Sequence, residues 1–184
     1  MQDYKRVQPV KPTTEIVNLY TAVTWSPPQA PFLKINYDEA VFRDSNNASI
    51  GAVIRASEGG LVASLVEKIP LPQMVVGVEA AAARKAIMLV KDLSLSSIIL
   101  EGDSEIITQA VQAEEQSLAS YGNLIKEIRF HADSFLNFRV SHVKRKGNSI
   151  AHNLARHTRH VSGLVVWMEE VPSHILPVLI VDAG

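Results

Sequence analysis

The sequence contains no cysteine, no excess of charge of either sign and no long uninterrupted apolar run. The lack of cysteine excludes a disulfide framework and thiolate chemistry, and it fits a reducing compartment. Because the formal net charge is −1, there is no overall basic bias, and any binding of nucleic acid must come from a local patch. No stretch of about 18 apolar residues exists, so we expect no membrane span.

The composition is that of an ordinary globular protein. With 184 residues, 47% of them hydrophobic, the chain is long enough for one domain with additional arms. We predict a Pro-containing N-terminal arm over residues 1–30, a folded domain over 31–162 and an apolar C-terminal tail over 163–184. The N-terminus lacks an apolar segment of signal-peptide type, so we expect a monomeric intracellular protein, in the nucleus or cytoplasm, that is not secreted.

Hydrophobic periodicity predicts five strands and four helices. Short turn clusters at 44–47 and 57–60 join the first three strands, which favours an antiparallel meander. The expected order is βββαβααβα, an α/β fold with a mixed five-stranded sheet flanked by helices. The predicted strands are 32–41, 49–55, 61–69, 96–100 and 137–143, and the predicted helices are 76–90, 104–112, 121–132 and 148–160.

Three acidic residues stand at the ends of these elements or within them. Asp38 lies in the first strand, Glu79 begins an alanine-rich helix and Asp103 ends the fourth strand. We expect the first and fourth strands to lie side by side, which brings the three carboxyl groups together. Buried carboxylates are costly when isolated, but a divalent cation such as Mg²⁺ can neutralise a cluster of them. Such a cluster suits phosphodiester hydrolysis assisted by two ions.

Several motifs, in consistent order over residues 25–160, carry a family resemblance. The chain resembles the ribonuclease H type 1 family of the RNase H-like superfamily, and within it a plant retroelement-derived branch. The matching stretches are Trp25-Ser26-Pro27-Pro28, Leu33-Lys34-Ile35-Asn36-Tyr37-Asp38-Glu39-Ala40, Val78-Glu79-Ala80, Leu100-Glu101-Gly102-Asp103-Ser104 and Arg145-Lys146-Gly147-Asn148-Ser149-Ile150-Ala151-His152-Asn153-Leu154-Ala155.

The resemblance implies an RNase H-like fold and cleavage of the RNA strand of RNA–DNA hybrids. It assigns Asp38, Glu79 and Asp103 as metal ligands and catalytic residues. The fourth acid of the family corresponds to His152, which completes the catalytic set and is common in the plant branch. Because neutral imidazole brings no negative charge, we expect a two-ion Mg²⁺ or Mn²⁺ site with a weaker second ion, and reduced activity.

Two other positions depart from the family pattern. Glu39 replaces a glycine, where its side chain crowds the backbone or offers an extra carboxylate. The loop before the last helix lacks the family's mobile histidine, so slower turnover is expected. That loop is basic, and the residues predicted to bind nucleic acid are Lys144, Arg145, Lys146 and Asn148, with Arg156 and Arg159 as an extension along the helix.

Other functions are compatible with the same residues. The domain could bind hybrid or double-stranded RNA without cleaving it, since His152 replaces an acid and the loop histidine is missing. It could also be an interaction module whose apolar tail, Leu164 to Val181, meets a partner. Taken singly, Asp38 could be a solvent-exposed strand residue, Glu79 could interact with the helix dipole and Asp103 could cap a helix.

Overall fold

The computed structural model describes residues 24–113, 119–157 and 161–182. Most of the predicted arm, Arg159 and the last two residues of the tail lie outside these ranges. The described residues form six strands and five helices, with short 3-10 turns between some of them. The strands are β1 Leu33–Phe42, β2 Asn47–Arg55, β3 Leu61–Pro70, β4 Ser97–Gly102, β5 Asn137–His142 and β6 Leu164–Met168, and the helices are α1 Val75–Asp92, α2 Glu105–Gln112, α3 Gly122–Ala132, α4 Ser149–Arg156 and α5 Leu176–Asp182.

The strands form one mixed sheet in the order β5-β4-β1-β2-β3-β6. β1, β2 and β3 pair antiparallel as a meander, whereas β4 pairs parallel with β1 and with β5. The parallel pairs require crossovers, and α1 and the α2–α3 segment supply them. The α/β class, the meander and the adjacency of the first and fourth strands are therefore confirmed. The sheet has one strand more than expected.

Each face of the sheet carries its own apolar core. On one face, Ile35 and Tyr37 of β1 pack with the alanine-rich side of α1 and with α3. On the other face, Val53 and Val66 pack with Ile150 of α4 and with the C-terminal segment. Because side chains alternate along a strand, Lys34, Asn36 and Asp38 of β1 all point to the α4 face. That face of β1 is polar, yet it is covered and buried.

A glycine lets α4 lie directly on the sheet. A Cβ atom on Gly51 of β2 would fall well inside van der Waals contact with the backbone of Ala151 and Ala155, and 2.9 Å from the Cβ of Leu154. Gly51 pairs with Asp38 across the β1–β2 ladder. The hydroxyl group of Ser49 also donates a hydrogen bond to the carbonyl oxygen of Ala155 and so links β2 to α4. The close contact between sheet and helix therefore occurs beside the first acidic residue.

We expect Gly51→Ala to lower the free energy of unfolding by about 1–3 kcal/mol, the usual cost of overpacking. The added methyl group would meet the α4 backbone, which cannot move aside without shifting the whole helix. Chemical denaturation measures the change. Gly60→Ala is a matched control, because a Cβ there meets only the flexible side chain of Glu58 at 3.5 Å. Equal stabilities for the two variants would contradict the close packing of α4.

The C-terminal segment, whose position the sequence left open, packs back onto the domain. β6 extends the sheet beyond β3, and Val171 and Ile175 enter the core beside α4. Asp182, in the last turn of α5, forms an ion pair with the buried Arg55 of β2 at 2.7 Å, and it accepts a hydrogen bond from the hydroxyl of Ser149 at 3.0 Å. Removing the tail would therefore remove core residues as well as an exposed surface.

The residues just before β1 pack against the domain. The ring of Trp25 is covered by the guanidinium group of Arg55, 3.5 Å from the ring centroid, and the amine of Lys34 lies 5.7 Å away. Among the described helices, none combines the length and the apolar character that crossing a bilayer requires. The predicted division into arm, domain and tail stays a prediction.

Candidate active site

Asp38 lies in the central strand with its side chain on the α4 face, only 1% exposed. One carboxylate oxygen accepts a hydrogen bond from the backbone N–H of Glu39 at 2.8 Å. The other lies 2.8 Å from Nδ1 of His152, one turn into α4. Asp38 is therefore a buried carboxylate in direct contact with the residue at the predicted fourth position.

Glu79 and Asp103 reach the same region from two other elements. Glu79 extends from the N-terminal part of α1, where its carboxylate accepts a hydrogen bond from the hydroxyl of Ser104 at 2.6 Å. Asp103 directly follows β4, and one of its carboxylate oxygens lies 3.4 Å from Nε of Arg145. The cap of α2 is Ser104, whose oxygen accepts from the N–H of Ile107, so the carboxyl group of Asp103 does not cap this helix.

The pKa values show that these carboxyl groups interact. Burial, and then repulsion from Asp103, raise the pKa of Asp38, although the bonds from Glu39 and His152 partly oppose the rise. Burial and the charges of Asp38, Glu79 and Asp103 raise the pKa of Glu39 to about 8. Burial is also the largest cause that raises the pKa of the Tyr37 hydroxyl, and the four carboxylates, those of Asp103, Glu79, Glu39 and Asp38, raise it further. Negative charge from β1, α1 and the residue after β4 is thus concentrated in one region, beside the middle of β1 and the end of β4.

This donor set fits a divalent cation in its chemistry. Carboxylate oxygens are the ligands that Mg²⁺ and Mn²⁺ prefer, and a cation between these groups would offset the repulsion that raises the pKa values of Asp38 and Glu39. The geometry is not a ready-made cage. Across residues 24–113, 119–157 and 161–182, no three His, Asp or Glu side chains are grouped closely enough to hold a metal ion as they stand.

The oxygens of these three carboxylates already have partners in the structure. His152 contacts an oxygen of Asp38, Ser104 donates to Glu79, and Arg145 lies near Asp103. Each of these side chains would have to share or leave its carboxylate for a metal to be bound by all three acids. The assignment of Asp38, Glu79 and Asp103 as metal ligands and of His152 as a catalytic residue therefore remains a prediction.

The basic loop before α4 does not form one continuous patch. Lys144, Arg145 and Lys146 are all exposed, but Arg145 faces the acidic region while Lys146 lines a separate cavity beside Trp25. Asn148 is 1% exposed, and its amide donates to the carbonyl of Tyr37 at 2.8 Å. In this conformation the side chain of Asn148 holds the loop against β1, and the expectation that it contacts nucleic acid stays a prediction.

A buried polar network next to the site was missed by the sequence analysis. Glu101 of β4 forms an ion pair with Lys34 at 3.1 Å and accepts from the amide of Asn36 at 3.0 Å and from the hydroxyl of Ser141 at 2.7 Å. Polar residues at alternate positions of an apolar strand were the available signal. Their partners lie on other strands, so the network could not be assigned from the sequence.

Comparisons with known proteins agree with this fold. Residues 36–158 match the profile of a family described as reverse transcriptase-like. RNase H1 from the halophilic archaeon Halobacterium salinarum superposes with a TM-score of 0.63 at 22% identity, covering 70% of this chain and 97% of that one. The N-terminal RNase H domain of a Mycobacterium tuberculosis protein gives 0.60 at 17% identity, with 68% and 91% covered.

A third solved structure, LC11-RNase H1 in complex with an RNA/DNA hybrid, gives a TM-score of 0.57 at 20% identity, covering 66% of this chain and 92% of that one. At these identities the structures show a shared fold. No curated protein sequence matches the chain. Because the family profile spans well over half of the sequence, the chain belongs to the reverse transcriptase-like family, and it shares its fold with RNase H1.

Proposed function

We propose that this protein is a metal-dependent endonuclease that cleaves the RNA strand of RNA–DNA hybrids. The observation that carries the proposal is the concentration of Asp38, Glu39, Glu79 and Asp103 in one region beside β1, where burial and the neighbouring carboxylates raise the pKa values of Asp38 and Glu39. Such crowding of like charges is unfavourable for the fold by itself, which is typical of functional sites. The RNase H-like fold and the motif resemblance supply the reaction class.

Asp38, Glu79 and Asp103 would hold Mg²⁺ or Mn²⁺. The metal would supply an activated water molecule and stabilise the leaving oxygen. Of the protein's own groups, His152 orients the Asp38 carboxylate through their 2.8 Å contact, and Ser104 orients Glu79. With imidazole in place of a fourth carboxylate, the second of two ions is expected to bind weakly.

The hybrid would be recognised by its shape. Exposed basic groups contact phosphates, and the wide minor groove with its 2′-hydroxyl groups distinguishes the RNA strand, so little sequence preference is expected. We further propose, from the motif of residues 145–155, that the chain derives from the plant retroelement branch. We also propose that the protein is a monomer and that it acts in the nucleus or cytoplasm.

The test is cleavage of an end-labelled RNA–DNA hybrid by purified protein. We expect cleavage within the RNA strand in Mn²⁺, slower cleavage in Mg²⁺ and none in EDTA, because a site with one charge fewer favours the ion with less strict geometry. A DNA duplex of the same sequence is the matched control substrate and should stay intact. Absence of RNA cleavage with both ions would contradict the proposed activity, and equal rates would contradict only the Mn²⁺ preference.

One set of contacts favours a second function, a nucleic-acid-binding domain with weakened or absent catalysis. His152 and Arg145 both approach carboxylates that a metal would need. This alternative predicts salt-dependent binding of hybrid or double-stranded RNA without product formation in Mn²⁺. A binding titration run in parallel with the cleavage assay separates the two functions, since only the first one generates shortened RNA.

A further inference from the structure

An open cavity of about 740 Å³ adjoins the carboxyl cluster, which consists of Asp38, Glu39, Glu79 and Asp103. Its border with the cluster is formed by Glu39, His152 and Arg145. His152 contacts Asp38 and Arg145 contacts Asp103, so anything that fills the cavity lies beside the predicted catalytic residues. The cavity is therefore placed to hold part of a substrate.

The wall of this cavity is basic, although the whole chain is not. It carries four cationic side chains against two carboxyl side chains, those of Glu39 and Asp44. The cations come from separate parts of the sequence: the turn after β1, strand β3, the loop before α4 and α4 itself. In that order they are Arg43, Lys68, Arg145 and Arg156.

Three of these cations have no acidic partner in the part of the chain that the structure describes. Arg43, Lys68 and Arg156 are all exposed, and none forms an ion pair there, whereas Arg145 is shared with Asp103. Unpaired cations around a concave surface focus a positive potential in the opening. A single phosphate group would meet only part of a cavity of this size, so the arrangement suits an extended polyanion.

We propose that this cavity binds the phosphodiester backbone of a nucleic-acid strand, with Arg43, Lys68 and Arg156 contacting its phosphates. The inference rests on the proposed function and names its substrate-binding groups. It moves the main contact surface away from Lys144 and Lys146, on which the sequence analysis relied. Only Arg145 of that basic run remains part of it, together with Arg156, which the sequence analysis had considered as an extension.

The test compares the variant Arg43→Gln/Lys68→Gln/Arg156→Gln with wild type. Fluorescence anisotropy of a labelled RNA–DNA hybrid, in EDTA so that cleavage does not interfere, gives the affinity over a series of KCl concentrations. Each phosphate contact contributes roughly 0.9 to the slope of log K against log salt. The triple variant should lose about 2–3 from that slope, and its affinity should fall roughly tenfold per lost contact at 0.1 M salt.

The control variant is Lys126→Gln, which removes an exposed lysine from α3, outside the cavity. Thermal melts of all variants verify that each is folded. A triple variant with the slope of the control would overturn the proposal even if wild type cleaves the hybrid. If the triple variant shows the reduced salt slope and wild type does not cleave the hybrid, this binding surface would be supported and the nuclease activity rejected. Displacement of the hybrid by inorganic phosphate beyond the effect of ionic strength would also overturn it, since a simple phosphate site would then suffice.

Discussion

Replacing Asp38 with asparagine is expected to reduce hybrid cleavage by roughly 10⁴–10⁶-fold, the range seen when one member of a catalytic unit is removed. The same change should raise the free energy of unfolding. The side chain is 1% exposed, and its raised pKa shows that the protein interior disfavours the charged carboxylate. Asparagine has the same shape without the charge, so the substitution should stabilise the fold while it removes the carboxylate that the proposed reaction needs.

Cleavage rates in Mn²⁺ and denaturation curves at neutral pH measure both effects. Glu105→Gln is the matched control, since Glu105 is an exposed carboxylate at the start of α2 that accepts a hydrogen bond from the side chain of Gln109. It should change neither quantity appreciably. Loss of both activity and stability in Asp38→Asn would indicate a structural role for the carboxylate. Unchanged cleavage would remove Asp38 from the active site.

The second large effect concerns the C-terminal segment. Asp182→Ala is expected to lower the free energy of unfolding by about 3–5 kcal/mol, the cost of leaving a buried charge without its partner. The side chain of Arg55 is 1% exposed, and Asp182 supplies its ion pair. Burial already lowers the pKa of Arg55, and the bond to Asp182 opposes that shift. The melting temperature should fall by roughly 10 °C.

Differential scanning calorimetry of three variants separates the ion pair from other effects. Glu170→Gln, which removes an exposed acid of the same segment, should leave the melting temperature unchanged. The double variant Arg55→Met/Asp182→Leu should recover most of the loss, because an apolar pair of similar volume needs no charge partner. If Asp182→Ala has the same melting temperature as wild type, the C-terminal segment does not pack against β2 and α4 in solution.

Most of the fold could be predicted because its signals are local. Alternation of apolar residues predicted the strands, the alanine-rich run predicted α1, and turn clusters predicted the meander. Each of the nine predicted elements is found near its expected position, although the predicted end of the last helix, at 158–160, lies outside the described residues. The C-terminal segment lacked such a signal. β6 has only five residues, and what holds it and α5 is contact with β3, α4 and Arg55.

The candidate site divides in the same way. The acidic residues could be identified from their motifs, and the expected pairing of β1 with β4 explains why these residues lie in the same region. The partners of those acids could not be predicted, because the contact from Arg145 to Asp103 and the donation from Ser104 to Glu79 depend on how separate elements pack. The burial of Asn148 against Tyr37 could not be predicted either, since it depends on the position of the loop.

By itself, the sequence determined the order of the elements, the polar face of β1 and the chemical types at the site, since periodicity and residue chemistry act over short distances along the chain. Only the tertiary structure decided that this polar face is buried, that His152 touches Asp38 and that Arg43 and Lys68 share a cavity with α4. Those facts depend on side chains far apart in sequence, which only the packing of helices and strands brings within a few ångströms.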